Sequence, residues 1–242
     1  MTYREFTRRV RPTHQDLYAE ILAEHRDSIK AKKEATAVKN LELIFEATLQ
    51  VANQKGFQAM TMRDLCHASG LSMGALYDYF SSKEELLEMV QRTGRSVSRR
   101  LLREGFEGVT DPVGRLAAAI RTHVFLSEAM QPWFFFSYME ARHLGEREKN
   151  LAKDSELRVE AMFAEILAQG QAAGAFGEFD PGLAAAVIKA MMQDWYLKRW
   201  KYAKRGVGVD RYAELVVAMV LAFCRAGGEG PAPGRERQDH EC

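Results

Sequence analysis

After Asp210 the apolar residues Tyr212, Leu215, Val216, Met219, Val220 and Phe223 repeat at the i, i+3, i+4, i+7 spacing of one helix face, without a miss. That period recurs along most of the chain and restricts the fold more than any other feature. Leu183, Val187, Met191 and Trp195 follow one another every fourth residue, with Ala184, Ile188 and Met192 widening the face. Val113, Leu116, Ala117, Ile120 and Val124 make another face, and Val159, Met162, Phe163, Ile166 and Leu167 one more, closed by Gly174. Only six prolines occur, and two stand in Asp111-Pro112 and Asp180-Pro181, where an N-cap acid followed by proline starts a helix. No alternating run bounded by hairpin turns competes. The expected fold class is all-α.

A formal net charge of +1 excludes a globally basic nucleic-acid coat, so any DNA binding must come from a local patch. No apolar run follows the charges of the first residues, and the longest clean apolar stretch, 215–224, is about half of the roughly 20 residues a spanning helix needs. A soluble, cytoplasmic protein without a membrane partner is expected. Cys66, Cys224 and Cys242 are scattered, with no Cys-x-x-Cys spacing, which argues against a disulfide framework and a zinc site. Residues 227–242 are rich in Gly, Pro and charge and read as a disordered tail.

Residues 41–89 carry the functional signal. Leu41, Ile44, Phe45, Thr48, Val51 and Ala52 make an amphipathic helix that ends at Lys55-Gly56-Phe57. Thr61 is placed to cap a second helix, answered by Asp64, and Ser69-Gly70-Leu71 is a short turn. The run from Ser72 to Phe80 makes another short helix, and Ser82-Lys-Glu-Glu85 starts the next. Two short helices joined by a glycine-bearing turn define a helix-turn-helix, which presents the start of its second helix to the major groove. Ser72, Met73, Gly74 and Ala75 stand there, small enough for close approach, with Met73 and Ala75 suited to a thymine methyl.

The stretch Gly56-Phe57, Thr61-Met-Arg-Asp-Leu65, Ala68-Ser-Gly-Leu-Ser72, Gly74-Ala-Leu-Tyr-Asp-Tyr-Phe80, Lys83-Glu-Glu-Leu86 strongly resembles the TetR/AcrR family of transcriptional regulators; Cys66-His67 is its one departure. The resemblance covers about a fifth of the chain. It implies a three-helix DNA-binding domain at 36–83 and a helical ligand-binding and dimerisation domain at 84–226, after a basic, partly helical extension at 1–35. It also implies that Thr61, Tyr77, Tyr79 and Lys83 meet phosphates; Arg63 either joins them or pairs with a carboxylate.

The partners expected are a double-stranded, partly palindromic operator, a second copy of the chain, and a small-molecule effector; no cofactor, metal or catalytic residue is expected. The aromatic cluster Trp133, Phe134, Phe136 and Tyr138, with His123, Arg142, Met191, Met192 and Trp195, reads as the effector pocket. Its ligand is expected to be apolar; the stretches 133–142 and 193–200 are weakly similar to relatives that sense fatty acids or acyl-CoA thioesters, which puts these first and an aromatic or cationic drug second. A drug would need Glu140 or Asp194 in the pocket. The rival reading, a ligand-independent architectural protein, expects a filled core. Helices 183–204 and 209–224 are the dimerisation candidates through Leu183, Val187, Leu215, Val216, Met219 and Phe223. An enzyme reading rests on Glu140-Ala-Arg-His143 alone, which lacks the further ligands a di-iron site needs. Arg4, Arg8, Arg9 and Arg11 pose the choice between a minor-groove arm and a solvated tail.

Overall fold

The computed structural model describes residues 1–26, 29–31, 33–141 and 144–226, apart from the side chains of 11–16 and 226. Among these residues all regular structure is helical. The N-terminal part holds α1 (Tyr3–Glu24), α2 (Glu34–Lys55), α3 (Met62–Ser69) and α4 (Met73–Tyr77); α5 (Lys83–Glu104) runs on into the rest of the molecule. There follow α6 (Pro112–Ala129), α7 (Gln131–Glu140), α8 (Glu146–Ala172), α9 (Pro181–Leu197), α10 (Arg199–Lys204) and α11 (Val209–Ala226). The residues from 227, including Cys242, lie outside the described part, as do Arg142 and His143.

Helices α2–α4 form a small head around Leu41, Ile44, Phe45, Leu65, Leu76 and Phe80, all buried. The body is built on α6, whose Leu116, Ala119, Ile120, Val124 and Phe125 are fully enclosed by α5, α8, α9 and α11. Its helices start where the sequence chemistry demands. The Asp111 carboxylate accepts the Gly114 N–H at 2.6 Å, and that of Asp180 accepts those of Gly182 and Leu183 at 2.8 and 3.1 Å. Both aspartates thereby satisfy N–H groups that a helix start leaves without partners.

Two elements depart from the sequence expectation. The helix expected over 183–204 breaks at Lys198, where φ −122° and ψ 35° leave the helical region. Asp194 then fastens α10 back onto α9 by accepting from Lys198, Lys201 and Tyr202. The N-terminal extension is a 22-residue helix rather than a loose arm, capped by Thr2 and Glu5. At its start the Tyr3 N–H donates to Asp210 Oδ1 at 2.7 Å, and Phe6, 0% exposed, packs against Phe125 of α6. Towards its end Tyr18 meets Phe45 of α2 edge-on, and Glu20 takes two hydrogen bonds from Arg100 of α5. The Tyr3 bond and the burial of Phe6 therefore tie Arg4, Arg8 and Arg9, all exposed, to the body.

Candidate nucleic-acid interface and ligand cavity

The head's two short helices are set by reciprocal local bonds. Thr61 Oγ1 accepts the Asp64 N–H at 3.2 Å while the Asp64 carboxylate accepts the Thr61 N–H at 2.7 Å. Lys55 also reaches that carboxylate and, with Thr61, holds its pKa well below the usual range. Gly70, at φ 72°, turns the chain in the left-handed region that glycine enters without strain. Ser72 Oγ then accepts the Ala75 N–H at 3.2 Å and starts α4, a helix of five residues. Leu76 anchors α4 to the core, so its first turn faces outward with Ser72, Met73 and Gly74 exposed and Ala75 half-buried.

Thr61, Arg63 and Tyr77 are exposed beside that turn. Tyr79 is not. It is 2% exposed, and its hydroxyl accepts from Asn40 Nδ2 at 3.0 Å, so its ring belongs to the core of the head and not to the exposed surface beside Tyr77. Lys83 is half-buried; its ammonium donates to the Gln58 carbonyl at 2.9 Å, stands over the Phe57 ring, and has its pKa lowered by burial. One pair of candidates is absent from the sequence reading. The Lys30 N–H donates to the Asp78 carbonyl at 2.8 Å, which lays exposed Lys30 against the end of α4, and Lys33, also exposed, follows at the start of α2. Their basic run is visible in the sequence, but the closeness of Lys30 to α4 is a long-range fact that periodicity does not carry.

In the body, α5–α9 surround a cavity of about 910 Å³. Its apolar lining includes Leu102, Phe106, Phe134, Val159 and Met162. Arg95, Arg99, Arg103, Arg115, Lys149, Lys153, Arg158 and Lys189 stand around it, against only Glu156 and Glu165 among the acids described there. Two of these cations are buried and ion-paired, Arg95 with buried Glu148 at 2.7 Å and Lys189 with part-exposed Glu156 at 2.6 Å. Arg95 Nη1 and His123 Nδ1 have no hydrogen-bond partner. Burial, helped by the charge of Lys189, pushes the His123 pKa far down, so the ring is neutral.

His123, Trp133, Phe134 and Tyr138 line this cavity, whereas four other pocket candidates do not. Phe136 is fully buried against Phe57 of the head. Met192 and Trp195 are fully buried on the α11 side of α9, where the Trp195 indole stacks on Tyr212 and donates to Glu128 at 2.9 Å. The Met191 carbonyl accepts the Tyr212 hydroxyl. It is Lys189, Gln193 and Tyr196 that α9 turns to the cavity. The ninth candidate, Arg142, lies outside the described residues.

Helix α7 faces two ways. Phe134, Ser137 and Tyr138 look into the cavity, while Glu140 Oε1 accepts the Phe57 N–H of the head at 3.0 Å and the Pro132 carbonyl accepts from Asn53 at 2.7 Å. His143, at the other end of the Glu-x-x-His spacing, lies outside the described residues. Among the described residues no three His, Cys, Asp or Glu side chains gather as a metal site.

Residues 44–90 match the profile of bacterial regulatory proteins of the tetR family, and 109–224 that of a tetracyclin repressor-like C-terminal domain, together about two thirds of the chain. The chain belongs to the TetR family. Among its relatives is the HTH-type transcriptional regulator HbdR of Aromatoleum sp. (strain CIB), 23% identical over 77% of this chain and 81% of that protein. The HTH-type transcriptional repressor KstR of Mycobacterium tuberculosis is 30% identical over 53% of this chain and 58% of its own length. The fold is shared with AibR, solved in complex with isovaleryl coenzyme A and operator DNA, at a TM-score of 0.66 and 19% identity, covering 74% of this chain and 97% of that one. This TetR-family protein is a DNA-binding transcriptional regulator.

The regulator leaves one apolar face uncovered. Leu183 and Val187 of α9 and Leu215, Met219 and Phe223 of α11 are each about half exposed or more, with Ala190, Ala218 and Ala222 exposed among them. Val216 does not belong to this face; at 3% exposure it is part of the protomer's own core. No helix among the described residues is long and apolar enough to cross a membrane.

Proposed function

We propose that this regulator is a repressor that binds a partly palindromic operator as a homodimer and releases it when an acyl-CoA or similar amphiphilic anion enters the body cavity. The head, 36–83, reads the DNA; the body, 84–226, binds the ligand and pairs with its copy. The observation that carries the ligand class is the cavity's chemistry, an apolar interior ringed by eight basic side chains and two acidic ones. Such a lining suits an acyl chain with a carboxylate or phosphates at one end. A cationic drug fits it poorly, since neither Glu140 nor Asp194 lines it. A cavity of about 910 Å³ also speaks against a ligand-independent architectural protein, which has no need of one.

On DNA, the exposed start of α4 presents Ser72, Met73, Gly74 and Ala75 to base edges. Thr61, Arg63, Tyr77 and Lys83, joined by Lys30 and Lys33, serve the phosphates. Leu183, Val187, Leu215, Met219 and Phe223 join two copies, which sets the recognition helices for half-sites roughly 34–36 Å apart or a multiple of that. Helix α7 transmits the signal, because the side chains that touch the ligand and those that hold Phe57 share its ten residues. The ligand shifts the equilibrium only by binding the released conformer better than the DNA-competent one.

The test is fluorescence anisotropy of labelled DNA from the protein's own promoter, titrated with acyl-CoAs of several lengths, the free acids and coenzyme A. Acyl-CoA should lower operator affinity, and Arg99→Glu with Arg103→Glu at the exposed rim should blunt that response while sparing DNA binding. Operator affinity indifferent to every one of these compounds would sink the ligand assignment.

A further inference from the structure

A second cavity, of about 640 Å³, lies at the junction of head and body. Its walls include Leu17 of α1, Phe45 and Leu49 of α2, Val97 of α5, and Met130 and Trp133 at the α6–α7 corner. Its chemistry is unlike that of the body cavity. Among the described lining residues only Glu46 is charged, and Glu46 is exposed, as are Gln50 and Gln54. The amide nitrogen of Asn53 is already used by Pro132. The described lining thus offers almost nothing to water or to an ion, and a hole of this kind takes an apolar guest.

The two cavities share one wall. The Trp133 indole lines both and is fixed there by its N–H, which donates to the Val90 carbonyl at 3.2 Å. Gly94 makes this position possible, since a Cβ there would lie 1.9 Å from the indole ring. The ring stands across α5 as a partition between a neutral space and a basic one.

We infer that the junction cavity is a second ligand site, for an uncharged, mostly apolar molecule, separate from the basic cavity of the body. The inference goes beyond the effector reading and does not depend on it. Among the described lining residues an acyl-CoA finds no cation, whereas a neutral guest loses nothing by leaving water. Its occupant touches α1 and α2 on one side and α5 and Trp133 on the other, so it bridges the part that carries the recognition helix and the part that carries the effector cavity.

The experiment titrates the full chain with N-phenyl-1-naphthylamine, a neutral apolar fluorophore, and reads its emission. Leu49→Trp fills the junction cavity, Ala129→Trp blocks its mouth from an exposed position, and Ala152→Trp narrows the body cavity alone. Saturable binding is expected in the parent and in Ala152→Trp, with at least about a tenfold weaker Kd, or 1.4 kcal/mol, in either junction variant that keeps the parent's circular dichroism. No saturable binding in the parent overturns the proposal. So does unchanged affinity in both junction variants, or an equal loss in Ala152→Trp. None of these outcomes bears on release by acyl-CoA, which is read on the operator.

Discussion

Thr48 in the head and Thr122 in the body are both fully buried, yet they spend their hydroxyls differently. Thr48 Oγ1 donates to the Ile44 carbonyl at 2.7 Å, whereas Thr122 Oγ1 has no partner. The contrast extends to the two regions. Buried side-chain atoms without a partner occur on Gln91, Arg95, Arg100, Arg115, Thr122, His123 and Glu140, all on α5–α7, and on none of the described residues of α2–α4. A buried polar group without a bond costs free energy, and such groups gather where a structure keeps a second arrangement or a binding task in reserve. The head is a finished tool with one conformation. The body, and above all the contact between α5 and α7, holds donors and acceptors that gain by rearranging.

The harshest challenge to that contrast is Leu65→Ala, which opens the tightly packed head. It should cost about 3 kcal/mol and abolish operator binding, while an acyl-CoA still protects the body from proteolysis. A head that tolerated the change would be looser than its packing implies. Next in size, Leu215→Glu with Met219→Glu should turn a dimer into a monomer in sedimentation and weaken operator binding by about a hundredfold, since two linked heads bind far more tightly than one. A dimer that survived both glutamates would place the interface elsewhere.

The most direct comparison uses one substitution twice. Thr48→Val should destabilise the protein by about 1 kcal/mol by losing a made bond, and Thr122→Val should stabilise it by a similar amount by removing an unmade one. Equal signs in thermal melting would erase the distinction between the regions. An effect of similar size belongs to His123. Its folded pKa lies well below 6.5, so the unfolded chain takes up a proton first as pH falls. Stability should therefore drop below about pH 6.5, by at most about 1.4 kcal/mol per pH unit, until the folded ring titrates. His123→Gln should flatten that dependence between pH 7.5 and 5.5.

The head was almost wholly legible because its instructions are local. Thr61 answers Asp64 three residues on, Gly70 marks its own turn, and Ser72 caps the helix it begins. Tyr79 escaped because its partner, Asn40, lies 39 residues away. Periodicity likewise located the body's helices but not the orientation of each apolar face. Trp195 and Met192 share a stripe on α9 that could have faced α8 or α11, and the choice is made by Tyr212 and Glu128 from distant helices. Val216 was lost to the dimer face for the same reason: Leu215 beside it points outward, and one step along a helix turns the side chain by about 100°. The two cavities were invisible as volumes, because an alignment of faces says nothing about the space left between them.

The bond from Tyr3 to Asp210 closes a span of 207 residues and carries a consequence for synthesis. The head has all its own contacts once α2–α5 have left the ribosome, and domains fold as their chain emerges. Helix α1 is made before any of it, yet the landing place of its first turn is Phe125 and then Asp210, near the end of translation. The first turn of the first helix made is thus among the last parts to be secured. In the interval that turn, with Tyr3 and Phe6, lacks its anchors, while Tyr18 farther along the same helix already has Phe45 of α2 to pack on. A chain that stops before α11 lacks Asp210 and leaves the Tyr3 N–H without that acceptor.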